Sequence, residues 1–357
     1  MRIGVLKRVV AGQVGRIETG QSARRCKIIL ESNWLAKPKL VDGSSPLAGA
    51  TGAILIMLWV SKARREMLRN FIGVFICLVV FCHFASPADS GATARTEDLA
   101  RSIPARAGQD LTGSQFAQYV SKMSPQEREQ AIQDEVLKGN LPEFLRKLVP
   151  VELHYELPSG KSITATIFVT PDYLAIGSNS DFLRIPMNLP TAAAIADRFG
   201  FILPTKKMVD AIYLQSRYHF VPQPLPAGPQ MRSTAYYLTH NRIVEDQAHT
   251  LGVQLGELVS GDKKDLVITN RLAFNAGRVA IYGWHRGPGL PIQPLSTVHG
   301  INYADYSHGI RLISEMALID GKLRSIHDIL RDPSAAKVLS DEGPISLDYL
   351  NRRDGVE

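Results

Sequence analysis

The sequence predicts an α+β fold: a mainly antiparallel sheet with flanking helices and a helical N-terminal lead-in. Two observations support this. Hydrophobic spacing changes from a helical period to alternation at Val151, in "VELHYEL", and alternation marks a half-buried strand. Beyond that point strands and helices come in runs, whereas a doubly wound parallel sheet would need them to alternate strictly. No internal repeat is visible.

The lead-in, "LTGSQFAQYVSKMSPQEREQAIQDEVLKGNLPEFLRKL", follows a polar linker over residues 95–110. Thr112 or Ser114 can cap its first helix. In "SPQE" a serine at the N-cap, a proline at N1 and a glutamate at N3 form a capping box. Gly139 ends that helix and Pro142 opens the next segment. "VELHYEL", "PSGK" and "SITATIFVT" then read as a β-hairpin, followed by short strands in "DYLAIG" and "DFLRIPM". "TAAAIADRFG" and "TKKMVDAIYLQS" read as helices, each with a preceding proline and a threonine suited to capping.

"HFVPQPLPAGPQ" is an extended connector, because prolines cannot sustain a helix or a central strand. A longer helix fills Ser233 to Gly252. Strands follow in "DLVITN" and "RVAIYGWH", then a Gly-Pro loop. Asp320-Gly321 marks a turn, and Ser325 begins a short helix. The domain is expected to occupy residues 111–345, with a polar tail over 346–357.

Charge is unevenly placed. Residues 1–66 hold twelve Lys and Arg against four Asp and Glu, whereas residues 95–357 hold 28 against 29. The net +7 of the whole chain therefore belongs to the leader, and the domain lacks the concentrated positive face that nucleic acid requires. Cys26, Cys77 and Cys82 all precede residue 95. Disulfides and cysteine nucleophiles are thus excluded from the domain.

Residues 67–94 have a signal-peptide layout: "MLRN", an apolar core from Phe71 to Ala85, then "ASPADSGATA" with small residues at the cleavage positions. Residues 1–66 read as upstream sequence translated from an early start, or as a basic leader. The alternative is a cytoplasmic segment followed by a membrane hairpin, with the N-terminal apolar segment as the membrane anchor if it is not cleaved. The expected location is periplasmic or secreted.

Chemistry concentrates in "PLSTVHGINYADYSHGIRLIS", which ends at Ser314. His285, His299, Asp305 and His308 supply donor atoms for a divalent metal such as zinc. Their spacing matches no zinc signature. A metal-free reading makes His299 and His308 acid and base, with Asp305 as orienter. "DYSH" has the residue types of a catalytic triad, but an extended backbone would put Asp305 and Ser307 on one face and His308 on the other. Tyr306, Arg311, Trp284, Tyr282 and Lys264 are candidates for substrate binding, although Trp284 and Tyr282 fit a core equally well.

The run "GDKKD" at 261–265 reads first as a solvated turn, since such charges are rarely buried. Glu245 and His249, four apart on a helix, read as a surface pair.

At "RVAIYGWH", "PIQPLSTVHG" and "YADYSHGIRLIS", and also at "TPDYLAIG" and "TKKMVDAIY", the chain resembles a family of exported bacterial proteins of unassigned activity. The resemblance spans roughly Leu111 to Pro344. It implies export and a single folded unit, and it transfers no chemistry. The functional expectation is a hydrolase acting on an envelope or extracellular polymer, glycan or peptide. The alternative is a secreted binding or scaffold domain with a structural histidine loop.

Overall fold

The computed structural model describes residues 102–346, and the expected leader and signal segment lie outside them. The lead-in forms helices α1 (Gly113–Tyr119) and α2 (Pro125–Leu137), both opened by capping boxes. Thr112 is the first cap and Ser124 the second, so each satisfies two helix-end N–H groups that would otherwise lack acceptors. The expected linker is shorter than its polarity implied. Ile103 is buried in the core, and Arg106 Nε donates to Asn140 Oδ1 at 2.9 Å, so the chain is already docked before Asp110.

Strands β1 (Val149–Glu156) and β2 (Ser162–Val169) pair antiparallel along their whole length, from Val149↔Val169 to Glu156↔Ser162. Strands β3 (Ala175–Ser178) and β4 (Asp181–Arg184) form a separate hairpin. Then come α3 (Leu189–Phe199), β5 (Phe201–Ile202), α4 (Lys206–Gln215) and β6 (Tyr218–His219). Helix α3 is capped by Asn188, which accepts from Thr191 N–H. The threonine expected there is a donor, because the helix starts one turn earlier. Thr205 caps α4 as its sequence suggested.

The long helix α5 (Thr234–Leu251) runs from the Ser233 cap to Gly252 in the left-handed region. It is followed by β7 (Val259–Ser260), β8 (Lys264–Leu266), α6 (Arg271–Phe274), β9 (Ile281–His285) and β10 (Pro291–Ser296). The chain closes with β11 (His308–Gly309), β12 (Ile313–Ser314), β13 (Met316–Ile319), β14 (Lys322–Ser325) and α7 (Ile326–Arg331).

The fold is α+β, with two main sheets. In the six-stranded sheet every pairing is antiparallel, and β2 is the hub. One edge of β2 carries β1, and the other is shared by β13 at Thr166 and Ala165 and by β12 at Val169. On β1, buried Val151 and Leu153 alternate with exposed Glu152 and His154, which is why period two was legible there. The four-stranded sheet runs β10-β9-β8-β11 and holds the histidine-rich segment. Its β8–β11 pairing is parallel, with His308 opposite Lys264.

Two glycines make that junction possible. A Cβ on Gly309 would come within 2.6 Å of the Tyr173 ring and 2.7 Å of Lys263 Cβ, so only glycine permits β11 to lie so close. Gly261 has φ +102 and a Cβ there would meet Phe220 O at 2.4 Å. It turns the chain inward and delivers Asp262 and Lys263 into the interior.

Candidate functional site

The segment expected to be extended around Asp305 is a tight turn. His308 N–H donates to Asp305 O at 3.0 Å. Asp305 Oδ1 accepts from Ser307 N–H at 2.8 Å and from Ser307 Oγ at 2.5 Å, and Oδ2 accepts from the Tyr303 hydroxyl at 2.9 Å. The serine proton is thus committed to the carboxylate. A serine nucleophile needs its proton taken by a histidine, so "DYSH" does not form a triad.

His308 has no exposed surface, and neither of its ring nitrogens has a hydrogen-bond partner. Its ring lies 6.4 Å from that of His299 and 5.6 Å from that of Tyr303, measured between centroids. His299 stacks on Tyr303 almost in parallel, at 4.1 Å and 7°. The structure therefore brings together His299, Asp305 and His308, with Tyr303 wedged among them.

Burial drives the His308 pKa down to about 4; the Asp305 carboxylate opposes the shift, and Lys264 and His299 reinforce it. The imidazole is neutral at pH 7 and able to accept a proton. Burial also lowers the pKa of His299. Asp305 is held below its ordinary value: burial works against its charge, but His308, the Ser307 bonds and Lys264 together outweigh it.

Lys264 sits over the Trp284 ring at 5.3 Å, and burial lowers its pKa against the pull of Asp305. Trp284 and Tyr306 are buried. The Trp284 Nε1 lacks a partner, whereas the Tyr306 hydroxyl accepts from Leu225 N–H at 2.7 Å. Tyr306 is therefore a packing residue at this position, since its polar end is already engaged.

Three predicted site residues are placed elsewhere. Arg311 is fully buried and donates to the carbonyls of Thr170 and Val259, both at 2.8 Å. Its terminal nitrogens tie two backbone segments together, which removes it as a substrate anchor. His285 has Nε2 3.1 Å from Asp210 Oδ1 and its ring stacked on Tyr213 at 4.6 Å. Tyr282 donates to the same Asp210 oxygen at 2.8 Å, so Tyr282 and His285 form their own cluster. The proposed four-residue metal set is therefore not assembled. Among the described residues no group of three or more His, Cys, Asp or Glu side chains is arranged to hold a metal ion.

The largest departure is "GDKKD". Asp262, Lys263 and Asp265 are buried rather than solvated. Lys263 Nζ donates to Tyr306 O at 2.7 Å, and burial lowers its pKa to about 8. Burial raises Asp262 to about 6, and Asp172 pushes it further in that direction. Asp265 accepts from the Tyr173 hydroxyl at 2.9 Å and is raised to about 7 by burial, against the pull of Arg311.

Beside them Arg184 holds Asp172 through two nitrogens, at 2.9 and 2.6 Å, and also pairs with Glu245. Glu245, its side chain 43 % exposed, thus reaches in to the buried Arg184–Asp172 pair, and its ion pair is with Arg184 where a surface pair with His249 was expected. His240, on helix α5, belongs to the same interior. It is buried 5.1 Å from the Tyr306 ring, with Nδ1 unpartnered and its pKa lowered to about 2 by burial and Lys263.

Buried polar atoms without partners are uncommon, and each normally implies a water, a ligand or a functional role. Here they recur on His308, His240 and Trp284, around the Tyr306 and Lys264 side chains. No protein-family model matches this chain, and no curated protein or solved structure shows significant similarity to it.

Proposed function

We propose that the protein is an exported hydrolase in which His308 is the general base. The single observation behind this reading is a neutral, buried imidazole with both nitrogens free, set beside an ionised aspartate and a lysine. Such a histidine can take a proton from water, and the Asp305 carboxylate offsets the charge that then forms on the ring. His299, half-buried with its ring 6.4 Å from that of His308, relays the proton onward. The Lys264 ammonium stabilises negative charge developing on the attacked group. The signal-like leader supports an envelope or extracellular polymer, glycan or peptide, as substrate.

The test is His308→Ala in folded protein, assayed for release of soluble fragments from purified envelope polymers. Activity should fall by about a hundredfold or more, within the range that acid–base groups contribute. Equal activity of wild type and variant would sink the reading.

One observation favours a binding or scaffold domain instead: His308 is wholly enclosed, and the Tyr303-Asp305-Ser307 turn satisfies itself internally. The two readings separate on stability. A scaffold role predicts that His308→Ala lowers Tm, whereas a catalytic role predicts little loss or a gain.

A further inference from the structure

A cleft of about 340 Å³ lies away from the histidines, lined by Ser121, Arg128, Arg232, Ser233 and Thr234 among others. It opens at the N-termini of two helices of 13 and 18 residues, α2 and α5. The α2 end is engaged by its Ser124–Glu127 capping box, and the Ser233 hydroxyl accepts from Tyr236 N–H at 3.3 Å; the remaining first-turn N–H groups of α5 favour negative charge.

The arginines supply the second, independent observation. Arg128 is 5 % exposed. One of its terminal nitrogens donates to Arg232 O at 2.8 Å and to the Tyr237 hydroxyl at 3.4 Å, the other donates to Thr234 Oγ1 at 3.5 Å, and its Nε is buried without a partner. Arg232 is half-buried, and its Nε is likewise without a partner. Among the described residues neither guanidinium forms an ion pair with a carboxylate. Glu129, whose pKa burial raises against the opposing pull of both arginines, accepts from Asn188 N–H at 3.1 Å. Two guanidiniums that line one concavity without an ion-paired carboxylate are an arrangement that oxyanions recognise.

We propose that this cleft binds an oxyanion, a carboxylate or a phosphate group, through Arg128, Arg232 and the N-terminus of α5. The inference does not depend on the hydrolase reading. It does have a geometric link to that site: Arg232 lies over the Tyr303 ring at 5.4 Å, and Tyr303 donates to Asp305. A ligand held by its anionic group in the cleft is therefore one side chain from the histidine turn.

The experiment is calorimetric titration of the full-length protein at low ionic strength with inorganic phosphate and, separately, with malonate. At least one probe should bind saturably, and the tighter of the two identifies the anion class. Arg232→Gln and Ser121→Asp should each weaken it by about tenfold or more. Ser121 is exposed at the rim, so its variant reports on charge even if the Arg232 variant misfolds. Saturable binding of neither probe, or wild-type affinity in a folded variant, would overturn the proposal.

Discussion

His285 and His308 lie on two strands that flank β8 in the same sheet, and both are almost fully buried. Their surroundings are opposite. His285 has Asp210 at hydrogen-bond distance and Tyr213 against its ring face. His308 offers two nitrogens to nothing in the protein. Burial alone therefore does not distinguish these two histidines; the inventory of partners does. Desolvation without compensation costs stability, and a site that retains it holds an imidazole poised for a ligand or a proton.

Three measurements can break this contrast or sharpen it. Asp210→Ala leaves both His285 and the Tyr282 hydroxyl without their acceptor, so it should cost about 2 kcal/mol. That is a fall in Tm of roughly 4 to 8 °C for a domain of this size. Hydrolytic activity should be retained, and its loss together with stability would erase the distinction between the two histidines.

Asp305→Asn removes the charge that supports a protonated His308 and should reduce the rate about tenfold, measured as kcat on the same polymer. An unchanged kcat would remove Asp305 from the chemistry.

The smallest effect is a pH dependence. The folded pKa of His308 is about 4, below the ordinary value of 6.5. The unfolded chain therefore takes up this proton first, and stability is lost as pH falls from 6.5 towards 4. Asp262 and Asp265, raised to about 6 and 7, act in the opposite direction, since folding retains their protons. The wild-type curve mixes both contributions, and the difference between His308→Gln and wild type isolates the histidine. Between pH 7 and pH 6 the variant should gain on wild type by less than about 1 kcal/mol. A difference that does not change with pH would place the folded pKa near its ordinary value.

Most of the fold was legible because its signals are local. The Thr112 and Ser124 caps, the β1–β2 alternation and the Asp320-Gly321 turn each depend on neighbours within a few positions. The candidate site was legible only as a composition, a stretch rich in His, Asp and Tyr; His299, Asp305 and His308 lie near one another, whereas His285 does not join them. The sequence could not reveal that Asp262 and Lys263 are interior. Their partners Asp172, Arg184 and Tyr306 are distant in the chain, and a charged run before a strand looks the same whether it is solvated or buried. Extended geometry failed at Asp305 for a related reason. Its side chain bonds its own backbone two residues on and bends the chain into a turn, a competition with strand formation typical of aspartate.

The hub position of β2 has a consequence for the order in which the chain can fold. Val169 pairs with Val149 on one side, a neighbour across a short hairpin, and with Ile313 on the other. The first contact forms early, while the second must wait for the end of the domain to be synthesised, and distant pairings of this kind slow folding. Until β12 and β13 arrive, β2 presents an open edge rich in buried-type residues, Ile163, Ala165 and Ile167. Such an edge is a template for strand addition by other chains. A nascent copy that stops before β12 is thus primed to aggregate, and the C-terminal strands act as its seal.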